Sequence, residues 1–264
     1  VKAMTKPGIL VISHGSRDAQ WVQLVDEAVE RATETMQRAD VPVYSSFLEI
    51  IEGRLIQDGI DALEAQGVTE LYVLPLFISS GSTHIDEIGQ AFGFAPISDF
   101  EGDLGTFRVN AHVHMGIPIN DDPEIAELLL QNMKPLSSEP SREALLLIGH
   151  GSKEPVFHER WQQGLNALAG RIRELGGFAR AETAMLLPDQ AAERLRGMQV
   201  EWPEEAVIVV PLFLSNGYFT NEVIPERLSG LDYRYNGRPM LPDPAIERWL
   251  VRNMTDWLAG LEAV

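Results

Sequence analysis

Two histidines and a glutamate stand at equal intervals in the first third of this chain: His14, Glu49 and His84, each 35 residues from the next. Imidazole nitrogen and carboxylate oxygen together ligate Co, Ni, Fe(II) or Zn, and three protein ligands leave coordination positions open for exchange. Taken singly, each residue has a plainer reading. A histidine after a strand often bonds a loop carbonyl. A glutamate at a helix start is favoured by the helix dipole. A histidine at a helix start is often only exposed. What favours chemistry is that all three follow predicted strands in consecutive units.

Those strands come from the hydrophobic pattern. Gly8 to Arg17 reads GILVISHGSR, an apolar run without alternation that ends in His-Gly-Ser. Such a run predicts a parallel strand covered on both faces. Val43 to Leu48 predicts a second strand, ending at Glu49, and Glu70 to Phe77 a third, followed by a Ser79–Thr83 loop and then His84. An interval of 35 residues is about one strand–helix–strand unit. Right-handed crossovers put the strand ends on one edge of the sheet, where open α/β sheets bind ligands.

The same plan occurs twice. ALLLIGHGSK, from Ala144 to Lys153, repeats the first stretch, with His150 standing 136 positions after His14; Pro75–Ser79 recurs as Pro211–Ser215 at the same offset. Pro123–Met133 recurs as Pro244–Met254 at a shorter one. Matched blocks in matched order mean an internal duplication of whole domains. The expected division is 5–136 for an N-terminal domain with the metal site and 143–264 for its C-terminal duplicate, joined by the Pro- and Ser-rich segment Lys134–Arg142.

Helices are expected over Asp18–Arg38, Arg54–Gln66, His84–Phe92, Pro123–Met133, Glu154–Leu175, Asp189–Met198, Asn221–Leu228 and Pro244–Leu258. Further strands are expected over Phe107–Val113, Ala144–Ile148, Ala179–Met185 and Ala206–Phe213. The alternation predicts an α/β class, with two tandem, duplicated parallel-sheet αβα domains of Rossmann type.

The duplication also supplies a comparison inside the chain. The second half keeps His150, but the position of Glu49 falls near Met185 or Leu186, and that of His84 at Thr220. One metal site, in the first half, is the expectation. His150 is then a remnant, a loop-closing hydrogen bonder or a proton carrier. His112 and His114 correspond to Tyr233 and Tyr235 and read as edge-strand decoration, and His158 as an exposed helix residue.

Composition narrows the classes. A net charge of −18 argues against nucleic acid, which needs clustered Lys and Arg. The absence of cysteine excludes disulfides, iron–sulfur clusters and thiolate zinc sites. No apolar run approaches the ~20 residues of a membrane span, and no secretory h-region is visible. A cytoplasmic location and no membrane partner are the expectation.

HGSR after the first strand, FLE after the second, and PLF followed by a Ser-Gly loop and a histidine after the third resemble the CbiX/SirB family. These are class II tetrapyrrole chelatases, which insert Co(II) or Fe(II) into sirohydrochlorin for cobalamin or siroheme. The resemblance covers nearly the whole chain and implies a bilobal fold with the ring in an interlobe cleft. It implies His14, Glu49 and His84 as metal ligands and catalytic residues. It implies a divalent ion (Co2+, Fe2+ or Ni2+) as substrate, with no organic cofactor. The family histidine is commonly followed by Asp-Ile-Pro, whereas His84-Ile85-Asp86-Glu87-Ile88 stands here, which leaves Asp86 and Glu87 without assigned roles. A substrate with eight carboxylates needs local donors on so acidic a chain. Ser16, Arg17, Ser79, Ser80, Gly81 and His150 are the substrate-binding candidates, with Lys153 and Asn216 as further donors. A metal carrier or sensor with the same ligands and no ring substrate is the main alternative. A hydrolase built on Ser16 lacks the Gly-x-Ser-x-Gly elbow.

Overall fold

The computed structural model describes residues 4–263. The apolar run at the start forms β1 (Pro7–Ser13), whose residues from Gly8 onward are all buried. It is followed by α1 (Ala19–Met36), β2 (Val43–Phe47), α2 (Ile56–Ala65), β3 (Glu70–Pro75), α3 (Thr83–Ala91) and β4 (His112–Met115). All pairings are parallel and the strand order is β2-β1-β3-β4. Leu10, Ile12, Leu71 and Val73 from the sheet pack with Ile56, Ile60 and Leu63 of α2 and Ile88 of α3. The helix starts are chemically marked: Asp18 accepts a hydrogen bond from the amide of Gln20 (2.9 Å), a cap that contributes about 1 kcal/mol.

After α4 (Pro123–Met133) and two short 3₁₀ turns, the second sheet is built from β5 (Glu143–Gly149), β6 (Arg180–Met185) and β7 (Ala206–Pro211), in the order β6-β5-β7 and again parallel. Interspersed with and following these strands are α5 (Pro155–Gly176), α6 (Ala191–Glu201) and the short α7 (Ile224–Arg227), entered through a π turn at Phe219–Val223; α8 (Pro244–Glu262) comes last in the chain. Leu146, Ile148, Val207 and Val209 pack there with Ala191, Leu195 and Met198 of α6. Among the described residues no helix is long and apolar enough to cross a membrane.

By contact the chain divides into two compact units. Among the described residues, one comprises 4–77, 83–118 and 246–263; the other comprises 78–82 and 119–245. The last helix of each sequence half therefore belongs to the unit formed by the opposite half. In the first unit Trp257 of α8 stacks on Tyr72 of β3, centroids 5.0 Å apart and planes 8° apart. On α1, Arg31 pairs with Glu247 and Arg38 with Glu262, both on α8. In the second unit α4 packs along α5.

Two sequence expectations are corrected here. The strand expected over Phe107–Val113 begins only at His112. Upstream of it the backbone is claimed by side chains of α2. Gln57 Oε1 accepts from the Arg108 amide (2.9 Å), and Glu64 Oε2 accepts from the amides of Asn110 (2.7 Å) and Ala111 (2.8 Å). The second correction concerns the counterparts of His112 and His114. Tyr72 pairs with His114, and its repeat equivalent Ile208 bridges Arg234. Arg234 is therefore the counterpart of His114, and Asp232 that of His112.

Candidate metal centre

His14 is the first residue beyond β1. Its Nδ1 lies 3.0 Å from the Gly15 carbonyl oxygen. A carbonyl only accepts, so Nδ1 carries the proton, and in the neutral ring Nε2 presents its lone pair. That Nε2 lies 3.5 Å from Glu49 Oε1. A proton or a cation between these two acceptors would bind both. Donation of the second ring N–H to a backbone carbonyl is the usual way a ligating histidine is oriented.

Glu49 follows β2 and is brought in by the main chain: its amide donates to the His14 carbonyl oxygen (3.3 Å). Gly15, at φ +97°, makes this approach possible, since a Cβ there would sit 2.3 Å from the Glu49 carbonyl oxygen. Ile50, immediately after Glu49, holds φ +75°, a conformation costly for a β-branched residue. Backbone of this kind is retained where surrounding structure enforces it, commonly at functional sites.

His84 arrives from the first turn of α3, its ring centroid 5.0 Å from that of His14 and 6.3 Å from that of Phe77. The structure thus sets Glu49 and His84 each beside His14, beyond the carboxyl ends of β1, β2 and β3, although the ligating atoms of the three do not all lie within 4.8 Å of one another. Their side chains are 42%, 56% and 38% exposed, so an incoming ion has access to all three.

Glu87 is a residue that sequence reasoning left without a role. Its Oε1 lies 3.4 Å from His84 Nδ1, one helical turn away, and its Oε2 accepts from the Asp103 amide (3.3 Å). Burial, reinforced by the neighbouring Asp103 and by the charge of Glu49, pushes its carboxyl up to about 7. Gly102 allows the loop to lie across it, because a Cβ at that position would meet Glu87 Cγ at 2.7 Å. Asp86 serves the fold: buried, it accepts from the Ile97 amide (2.9 Å) and from Gln90 Nε2 (3.1 Å). The i, i+3 spacing of His84 and Glu87 on a helix was the available signal.

The other sequence candidates occupy varied settings. Ser16 Oγ accepts from the Asp18 amide (3.0 Å) and helps start α1, while Arg17 is exposed. Ser79 is buried and accepts from the Gly81 amide (2.9 Å). Ser80 is held by Asn120, which accepts from its amide and donates to its hydroxyl (2.8 and 2.9 Å). Gly81 packs where a Cβ would lie 2.4 Å from Trp161 Cδ1, so this loop is tied into the second unit.

His150 repeats the His14 arrangement, with Nδ1 2.9 Å from the Gly151 carbonyl and its ring edge-on to Phe219. The residue equivalent to Glu49 is Leu187, one position beyond the expected Met185 or Leu186, because Leu187 donates to the His150 carbonyl as Glu49 does to His14. Thr220, at the His84 position, is buried and bonded to Gly217. His158, expected to be exposed, is half-buried with Nδ1 2.9 Å from the Ser152 carbonyl.

The CbiX family profile matches residues 8–136 and 144–256, and the chain belongs to that family. It is 29% identical over 176 residues to a probable sirohydrochlorin cobaltochelatase of Halobacterium salinarum; the alignment covers 60% of this chain and 56% of that protein. It is 25% identical over 227 residues to a sirohydrochlorin ferrochelatase of Priestia megaterium, covering 83% and 77%. Among solved structures it is similar to SirB from Bacillus subtilis with Fe3+, at a TM-score of 0.74 and 20% identity, covering 98% of both chains. The match to the Halobacterium protein thus spans little more than half of that relative's length.

Proposed function

We propose that this chain inserts a divalent metal, Co2+ or Fe2+, into sirohydrochlorin, as a lyase of the cobaltochelatase and ferrochelatase class. The observation that carries the reading is that Glu49 and His84 both stand beside His14 at the carboxyl edge of the first sheet, in a chain of the CbiX family. The names of its relatives support the substrate.

Metallation replaces two pyrrole N–H protons by one divalent ion, so charge balances when two protons leave as the ion enters. In the proposed mechanism His14 holds the ion through Nε2, with Nδ1 committed to the Gly15 carbonyl. Glu49 offsets its charge, and His84, steadied by Glu87, completes three protein ligands. Three ligands leave positions for the ring nitrogens to take over. A neutral imidazole not bound to metal accepts a departing proton near neutral pH. The net charge of −18 draws cations toward the protein and repels an anionic ring at long range. Ring carboxylates are therefore proposed to be met by local donors, Ser16 and Arg17; His150 would donate only with both ring nitrogens protonated, and Ser79, Ser80 and Gly81 only by releasing the hydrogen bonds that close their loop. A cytoplasmic setting and no organic cofactor belong to the same proposal.

The test is anaerobic incubation of the protein with sirohydrochlorin and Co(II), Fe(II) or Ni(II), followed by absorbance. Protein-dependent acceleration of the metallated spectrum supports a chelatase. Metal binding without any spectral change of the ring, under conditions where the ring is present in excess, supports the carrier or sensor instead.

A further inference from the structure

We propose that Glu70, His112 and His114 form a second divalent-cation site, at the opposite end of the same sheet and independent of the His14 site. Among the described residues they are the trio whose ligating atoms all lie within 4.8 Å of one another. Glu70 opens β3 and His112 opens β4; the parallel register sets Glu70 beside His112 and Tyr72 beside His114. His112 and His114, two residues apart on a strand, share one face. Both turn a nitrogen to the same carboxylate oxygen: His114 Nε2 lies 2.6 Å and His112 Nδ1 3.1 Å from Glu70 Oε2. The edges of a tetrahedral site with bonds near 2.1 Å are about 3.4 Å long, so a small outward turn of the carboxylate admits an ion.

The surroundings fit a site that is held on one side and open on the other. Glu70 is 17% exposed and His114 30%, whereas His112 is 72% exposed. The indole of Trp257 meets the His114 ring edge-on at 5.5 Å, and the two imidazoles meet edge-on at 4.5 Å. Trp257 in turn stacks on Tyr72. This floor fixes His114 while leaving the outward coordination positions to water.

The second sheet lacks the ligands, and in place of β4 it has one isolated parallel bridge, Ile208–Arg234. By the 136-residue offset and the Ile208–Arg234 bridge, the equivalent positions hold Ala206, Asp232 and Arg234. Two imidazoles and a carboxylate suit Co2+, Ni2+, Zn2+ or Fe2+. β3 is six residues long, so the two sites stand about 20 Å apart, near opposite ends of the strands. They load separately.

The experiment is calorimetric titration of the metal-free 264-residue chain with Co(II) alone, for the parent, His112→Ala/His114→Ala, Glu70→Gln and His14→Ala. The expected result is two ions for the parent and one for the double variant. Glu70→Gln, which keeps the shape of the side chain, weakens one of the two affinities by about tenfold or more. His14→Ala retains the ion bound by the second trio. Loss of one ion in the double variant with none lost in His14→Ala supports this site while overturning the proposed His14 centre. If the double variant misfolds, Co(II)-induced broadening of the His112 and His114 ring signals in the parent decides. Unaltered affinities and stoichiometry in Glu70→Gln, or unbroadened ring signals at saturating Co(II), would overturn the proposal.

Discussion

His14 and Glu49 are joined twice. Their side chains face each other at 3.5 Å, Nε2 to Oε1, and their backbones share a hydrogen bond from the Glu49 amide to the His14 carbonyl. The second contact explains the first. The regular ladder of β1 and β2 ends at Ser13 and Phe47, and beyond it the consecutive amides of Leu48 and Glu49 donate to the Ser13 and His14 carbonyls, which keeps His14 and Glu49 side by side. Gly15 is what permits it.

Gly15→Ala therefore reports on the site as well as on the fold. The added Cβ would collide with the Glu49 carbonyl while being forced into a left-handed backbone. The variant should lose more than about 1 kcal/mol of stability and should bind Co(II) more weakly. Gly53→Ala is the control: its φ is +82°, but a Cβ there meets nothing within 4 Å. It should share the backbone cost and leave Co(II) affinity unchanged. Chemical denaturation and calorimetry on the two variants separate these effects.

His84→Ala removes a side chain that is 38% exposed, at the start of a helix, so its cost should fall on metal binding. The expected loss is tenfold or more in Co(II) affinity, with stability within about 1 kcal/mol of the parent. Glu49→Gln keeps the shape and removes the charge, and should weaken binding while the site stays assembled. Parent-like Co(II) affinity in both variants would dismiss these residues as ligands.

Glu143 predicts an acid-sensitive stability term. Burial would raise its carboxyl, but hydrogen bonds from Ser137, the Ser138 amide and Arg234 outweigh this and hold it below the usual carboxylate value. A depressed folded-state value contributes stability above the unfolded value of about 4.3. That stability is lost as pH falls through the folded value. Glu143→Gln should be less stable than the parent by about 1–3 kcal/mol at pH 7, and the gap should narrow on acidification below pH 4. Urea midpoints at the two pH values check it; a gap that is independent of pH would count against the ionised carboxylate.

Much of this was legible in the sequence. The unbroken apolar runs ending in HGS located β1 and β5, and the even spacing of His14, Glu49 and His84 predicted that they would leave neighbouring strands on one edge. Features that depend on partners distant in sequence were not legible. The equivalence of Glu49 with Leu187 is set by which amide reaches the histidine carbonyl, one residue past the apparent sequence match. The short β4 depends on Gln57 and Glu64 taking amides that a strand would use. The exchange of α4 and α8 between units has no local signal, since an amphipathic helix does not record which sheet it covers. Glu70 and its two histidines lie more than 40 residues apart and meet only through parallel register.

The central claim is that one half of a duplicated fold carries the chemistry. His14 and His150 stand in equivalent His-Gly-Ser loops and make the same Nδ1–carbonyl hydrogen bond, but of the two it is His14 that has a carboxylate and a second imidazole beside it. The most direct test is the anaerobic rate of metal insertion into sirohydrochlorin, measured side by side for the parent, His14→Ala and His150→Ala. The expected result is a loss of about 100-fold or more for His14→Ala, about 2.7 kcal/mol or more of transition-state stabilisation, and a loss below tenfold for His150→Ala. Equal losses in the two variants would contradict it.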